Sequence, residues 1–159
     1  MLIIVSGAPG TGKTTLAHAL SHSLGFPVIS RDEIRFGLVH SGAPDEGSLT
    51  TYQTFQDIVR LMVAREVTVI AEAAFQDHLW RPMLGLGPTR IIRCVTTASL
   101  ALDRRVDRAA LPGTPVSVDD WVPISSPAPT MIVDTADGYS PSFGEIAAFA
   151  GGHTDLHEP

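Results

Sequence analysis

The chain has 159 residues, 44% hydrophobic and 18% charged, enough to bury one compact core and too few for two domains, and its composition excludes a disordered chain. The formal net charge of −6 excludes a global basic field of the kind that draws long nucleic acid to a protein. The apolar start, MLIIV, has no charged n-region and is cut short by Gly7, so neither a signal peptide nor a membrane span is expected.

In chain order, LIIVS (2–6) is a continuous apolar run bounded by glycine, which suits a strand covered on both faces. A helix is predicted over 13–24, with Leu16, Ala17, Leu20 and Leu24 at helical spacing and Gly25 as its stop. FPVIS (26–30) reads as a second strand, and DEIRFGLVH from Asp32 as a short helix interrupted by Gly37. SGAPDEGS (41–48) has loop composition. Tyr52, Phe55, Ile58, Val59 and Met62 then recur at three and four residues and predict an amphipathic helix over 49–65.

VTVIAE (67–72) is the third predicted strand, followed by a short helix over 77–83. RIIRCV (90–95) is the fourth strand. It holds Cys94, the single cysteine, which has no partner for an internal disulfide and suits a buried small residue in a reducing, cytoplasmic setting. Ser99 is the expected cap of a helix running to about residue 110, and the proline-rich stretch 111–129 is expected to be a long ordered loop. TMIVD (130–134) is the fifth strand, a last helix covers about 142–149, and 151–159 reads as a frayed tail after a single domain over 1–150. Strands alternating with helices predict an α/β fold with a parallel sheet, whose ligands collect at the C-terminal strand ends.

One motif is specific by itself. Gly7, Ala8, Pro9, Gly10, Thr11, Gly12, Lys13, Thr14 and Thr15 meet the pattern GxxxxGK[ST] between a buried strand and a helix. Glycines let the backbone wrap so that N–H groups point at phosphate oxygens, and the helix N-terminus adds its dipole. Lys13 then reaches the outer phosphates of ATP, and the Thr14 hydroxyl ligates Mg²⁺. Lys13 is also the only lysine among eleven basic residues. A GC-biased genome explains the shortage of lysine, but not why the one retained falls at the motif position.

With Asp32 and Arg35 as an Asp-x-x-Arg, Glu72 at a strand end and DRRVDR at 103–108, the sequence resembles the small P-loop phosphotransferases that include polynucleotide 5′-kinases, zeta toxins and chloramphenicol phosphotransferase. The resemblance spans about 2–149. It implies a three-layer P-loop NTPase fold with strand order 2-3-1-4-5, Asp32 as general base toward the acceptor hydroxyl, and Arg35 as an acceptor clamp. A carboxylate at a strand end beside the γ-phosphate is physically suited to take that proton. The ordinary reading of Asp32 as a helix cap is compatible with it. Glu72 either serves Mg²⁺ through water or holds the acceptor, and Phe75 either walls the acceptor or belongs to the core.

The resemblance further implies a lid over about 103–129, with Arg108 as the arginine that offsets charge on the transferring phosphoryl group and Arg104 as a nucleotide contact. A solvated, salt-bridged helix face is the plainer reading of these arginines, because Asp103 and Asp107 lie among them. It also implies that VDTADGYSP (133–141) wraps the adenine, although Asp134 is equally suited to forming a turn. His18 and His22 are four apart on the first helix without a patterned Cys or acid partner, and no metal is assigned to them.

The expected reaction is transfer of the γ-phosphoryl of ATP to a hydroxyl. A chain with one lysine and the acidic Asp45 and Glu46 after Asp-x-x-Arg is a poor electrostatic match for a polynucleotide. A small-molecule acceptor is therefore expected, with a polynucleotide or nucleoside 5′-hydroxyl as the alternative. A P-loop switch or ATPase without acceptor is the alternative of another class. A guanine-reading Asn-Lys-x-Asp is excluded, since the one lysine is already placed.

Overall fold

The structure is a computed structural model in which residues 1–42, 49–76, 80–106 and 121–152 are described. Five strands, β1 (Leu2–Ser6), β2 (Val28–Ser30), β3 (Val69–Glu72), β4 (Thr89–Val95) and β5 (Thr130–Asp134), form one sheet in the order β2-β3-β1-β4-β5. Every pairing between them is parallel. The described helices are α1 (Lys13–Leu24), α2 (Arg31–His40), α3 (Leu49–Ala64), α4 (Ala98–Val106) and α5 (Phe143–Gly151), with a 3-10 turn over Arg81–Gly85. The expected fold and strand order are therefore both present.

The central strand shows why the sheet closes in this way. All five residues of β1 are fully or almost fully buried, and successive side chains point to opposite faces. Leu2 and Ile4 join Phe55 and Val59 of α3. Ile3 and Val5 join Leu16 and Leu20 of α1 and Ile146 of α5. Covering both faces explains why β1 reads as an unbroken apolar run rather than an alternating one.

Several predicted boundaries shift. β2 and β3 begin later than their apolar runs, at Val28 and Val69. Before β3, the chain turns tightly through Glu66 at φ 59°, and the Val67 N–H donates back to Met62 O at 3.0 Å. Gly37 does not interrupt α2, which is continuous from Arg31 to His40. A single glycine in a helix costs only about 1 kcal/mol, and α2 is held by packing against α3 and β2. The cap of α4 is Thr97 rather than Ser99, because the helix starts at Ala98 and the Leu100 N–H donates to Thr97 Oγ1 at 3.4 Å.

The turn after β3 is 3-10 and starts at Arg81, whereas its predicted start at Asp77 lies outside the described residues. The final helix extends past its expected end to Gly151, with Gly152 as a left-handed cap and Ser142 and Glu145 as a reciprocal capping box at its start. Among the described residues, no helix is long and apolar enough to cross a membrane.

Candidate active site

The P-loop leaves β1 at Ser6 and enters α1 at Lys13. Gly7 has φ +150°, and a Cβ there would lie 2.5 Å from Cys94 O and 2.6 Å from Thr11 Oγ1. The loop is thus pressed against the end of β4. Gly12 takes the left-handed conformation at φ 76° and serves as the N-cap of α1 without a side-chain cap, which leaves the first helical N–H groups available to an anion.

The Ala8 carbonyl organises the interior of the loop. It accepts from Thr11 N at 3.3 Å, Thr11 Oγ1 at 2.8 Å and Lys13 Nζ at 2.9 Å. Lys13 is only 9% exposed, so its ammonium is held within the wrap of backbone rather than in solvent.

Glu72 faces this cradle from the neighbouring strand end. Register places it level with Val5 of β1 and Ser30 of β2, and its side chain is buried. Ser30 Oγ donates to Glu72 Oε2 at 2.6 Å. Burial raises the carboxyl above the ordinary 4.5; the Lys13 charge and the Ser30 and Thr14 hydroxyls oppose that rise, while the Asp32 charge adds to it. Of these groups, Ser30 is the one whose hydroxyl lies within hydrogen-bond distance of the carboxylate. Asp32 opens α2 next to Ser30, is exposed, and accepts from Arg31 Nη1 at 3.2 Å. Thr14 lies in the first turn of α1 and Glu72 ends β3, and both offer oxygen, the donor type that suits Mg²⁺. Thr14 would hold the ion directly and Glu72 through water, and the bound ion would supply charge for the phosphate oxygens.

The raised carboxyl has a consequence for stability. The folded state binds this proton more tightly than the unfolded chain, so the contribution is complete below pH 4.5 and is lost as pH rises through the higher folded-state value. Glu72→Gln is expected to shift the urea midpoint above that of the parent at neutral pH, with the gap closing toward pH 4.5. Parallel midpoint profiles for the two proteins across that range would contradict it.

On the other side of the P-loop stands Arg104 of α4. Its Nη1 donates to Thr135 Oγ1 at 3.2 Å and its Nη2 to Thr135 O at 2.8 Å, and Nη1 lies 3.7 Å from the position a Cβ would occupy on Gly12. Of the two arginines expected to act from a lid, Arg104 sits beside the cradle, whereas Arg108 lies outside the described residues. Arg35 is half-buried on α2, one turn beyond Asp32.

Phe75 is placed in the core. It is fully buried, its ring lies 6.1 Å from Phe55 and 4.9 Å from Trp80 between centroids, and it offers no exposed face to an acceptor. Asp134 acts as a turn former, its Oδ1 accepting from Ala136 N at 2.8 Å. His18 Nε2 meets Glu33 Oε1 at 2.5 Å on the surface between α1 and α2. Cys94 is buried, which pushes its thiol up to about 12, beyond the range of a reactive thiolate.

Sequence reasoning missed Ser30, Thr135 and Trp121. Trp121 follows the segment outside the described residues and donates from Nε1 to Ala74 O at 2.8 Å, while Pro123 bridges Gln76, so the chain returns to the sheet beside the exit of β3. A polar residue ending an apolar strand, as Ser30 does, was the one available signal. Nothing local distinguishes Thr135 or Trp121, because their partners are 124 and 47 residues away.

This cradle and sheet define a nucleotide-binding P-loop domain of kinase-like architecture. A family model described as an AAA domain matches residues 2–122, and the chain belongs to that family. Among curated proteins no sequence matches. Among solved structures, a provisionally assigned kinase from Chloroflexus aurantiacus J-10-fl is 25% identical, with a TM-score of 0.78 over 96% of this chain and 97% of that one. A sugar kinase from Janibacter sp. HTCC2649 is 16% identical, with a TM-score of 0.66 over 93% and 92%. Chaetomium thermophilum Kti12, in complex with ADP-AlF3, is 18% identical, with a TM-score of 0.65 over 94% and 99%; the last two likenesses concern the fold alone.

Proposed function

We propose that this protein is a kinase that transfers the γ-phosphoryl group of Mg-ATP to a hydroxyl of a small-molecule acceptor. The carrying observation is that strand register brings two carboxylates, the buried Glu72 at the end of β3 and the exposed Asp32 just after β2, to the sheet edge from which the P-loop leaves β1. An exposed carboxylate at this edge is suited to take the proton of an acceptor hydroxyl. In the reaction, the acceptor oxygen bonds to the γ-phosphorus as the bond to the β–γ bridging oxygen breaks, and the hydroxyl proton passes to Asp32. Lys13 offsets charge on the phosphate oxygens, and Arg108 does so from the lid. Arg35 is assigned to holding the acceptor, and Glu72 to serving Mg²⁺ through water. The acceptor class rests on charge, since a net charge of −6 is a poor electrostatic match for a polynucleotide.

The test is transfer from γ-labelled ATP to a panel of sugars, aminoglycoside and phenicol alcohols, nucleosides and 5′-hydroxyl oligonucleotides. Label is expected on a small alcohol, with Asp32→Asn cutting the rate roughly 10²-fold or more while nucleotide binding persists. Label on oligonucleotides in preference to every small alcohol would replace the acceptor class. Slow hydrolysis alone, indifferent to Asp32→Asn, would replace the kinase with a switch.

A further inference from the structure

Thr135 follows β5, beyond the residues the family model matches, and is 5% exposed. Its hydroxyl donates to Thr11 O of the P-loop at 2.9 Å, with Val95 O at the end of β4 also within reach at 3.3 Å. It accepts from Arg104 Nη1, whose partner nitrogen Nη2 takes the Thr135 carbonyl. The Thr135 N–H is itself fixed to Val95 O at 3.0 Å. One side chain therefore joins the P-loop, the end of β4 and the lid helix.

Two consequences follow from these bonds. The guanidinium is gripped at both ends by a single residue, and this two-point hold keeps it over Gly12 rather than sweeping through solvent. In a trans peptide the C=O and the following N–H point in opposite directions. Holding the Thr11 carbonyl outward onto Thr135 therefore turns the Gly12 N–H inward, where a P-loop presents its amides to phosphate.

We propose that Thr135 is a positioning residue for the nucleotide: it aims the Gly12 amide into the cradle and holds Arg104 beside the bound nucleotide. The proposal rests on the reading of the cradle as an ATP site and assigns Thr135 no contact with the acceptor. Thr135→Val replaces the hydroxyl with a methyl of similar size, while Thr135→Ser keeps the hydroxyl and removes a methyl. Losing the hydroxyl is expected to weaken equilibrium binding of a fluorescent ADP analogue roughly tenfold. The loss is expected for the ATP analogue AMP-PNP as well as for the ADP analogue, and Thr135→Ser should restore affinity for both. Arg104→Ala and Thr135→Val should be strongly non-additive, since Arg104 is held by the residue being changed.

Parent-like affinity in Thr135→Val, failure of Thr135→Ser to rescue, or full additivity with Arg104→Ala would each overturn the proposal. Binding is read without turnover. A parent protein that binds the analogue but transfers phosphate to no acceptor would therefore sink the kinase reading and leave the role of Thr135 judged by the affinities. A parent that binds no nucleotide would overturn both.

Discussion

Lys13→Arg is expected to lower phosphoryl transfer by roughly 10²-fold or more, although the substitution keeps the positive charge. Lys13 is 9% exposed, and its ammonium donates to Ala8 O at 2.9 Å inside a single turn of backbone. A guanidinium is planar and bulkier than an ammonium, and its donors form a rigid fork that one carbonyl does not match. It must either spread the loop or leave it. Leaving also removes the charge that counters the burial of Glu72. A far-ultraviolet spectrum and urea midpoint near those of the parent, with transfer measured at saturating ATP, separate lost chemistry from lost folding. Codon bias alone predicts that arginine is tolerated here, so undiminished transfer would return Lys13 to the status of an ordinary basic residue.

Gly10→Ala is expected to be the most damaging small substitution in the loop. Gly10 has φ +87°, and a Cβ there would stand 2.2 Å from the carbonyl oxygen of Ala101 and 2.9 Å from its carbonyl carbon. The obstacle is the main chain of α4, which has no rotamer to change. Relief requires moving either the P-loop or the helix that carries Arg104. The left-handed conformation adds its own penalty for a residue with a side chain. A loss of about 2–4 kcal/mol in urea unfolding is expected, along with weakened nucleotide binding. Gly144→Ala is the matched control, because nothing lies within 4 Å of its Cβ position. Equal stability of the two variants would show that α4 does not press on the loop in solution.

The elements most legible in the sequence were those bounded by strong local signals. β1 and α1 appear at their expected bounds because an apolar run, a glycine wrap and a glycine stop leave the backbone little choice. β2 and β3 are shorter than their apolar runs because pairing, rather than hydrophobicity, decides where a strand begins. Ile70 N–H bonds to Pro27 O and Val69 N–H to Met1 O, at 2.9 and 3.1 Å, and these long-range bonds mark the start of the ladder. Phe75 illustrates the same limit for function. Three residues after Glu72, it sits where an acceptor wall would be sought, yet its φ of 49° turns it under the sheet to pack with Phe55 and Trp80.

Sequence alone determined the P-loop, since its chemistry is carried by a contiguous stretch whose glycines, lysine and threonine act through backbone they themselves shape. It likewise determined that Asp32 follows the second strand and Glu72 ends the third, and hence that a parallel sheet would deliver both to one edge. Tertiary structure alone decided which neighbours complete the site. Gly10 occupies a position where the motif allows any residue, and it is the approach of α4 that requires glycine there. Thr135 reaches the P-loop across 124 residues, and Ser30 reaches Glu72 across 42. Such contacts depend on strand order and register, which arise from the competition among all the apolar faces at once and leave no mark on any local stretch of the chain.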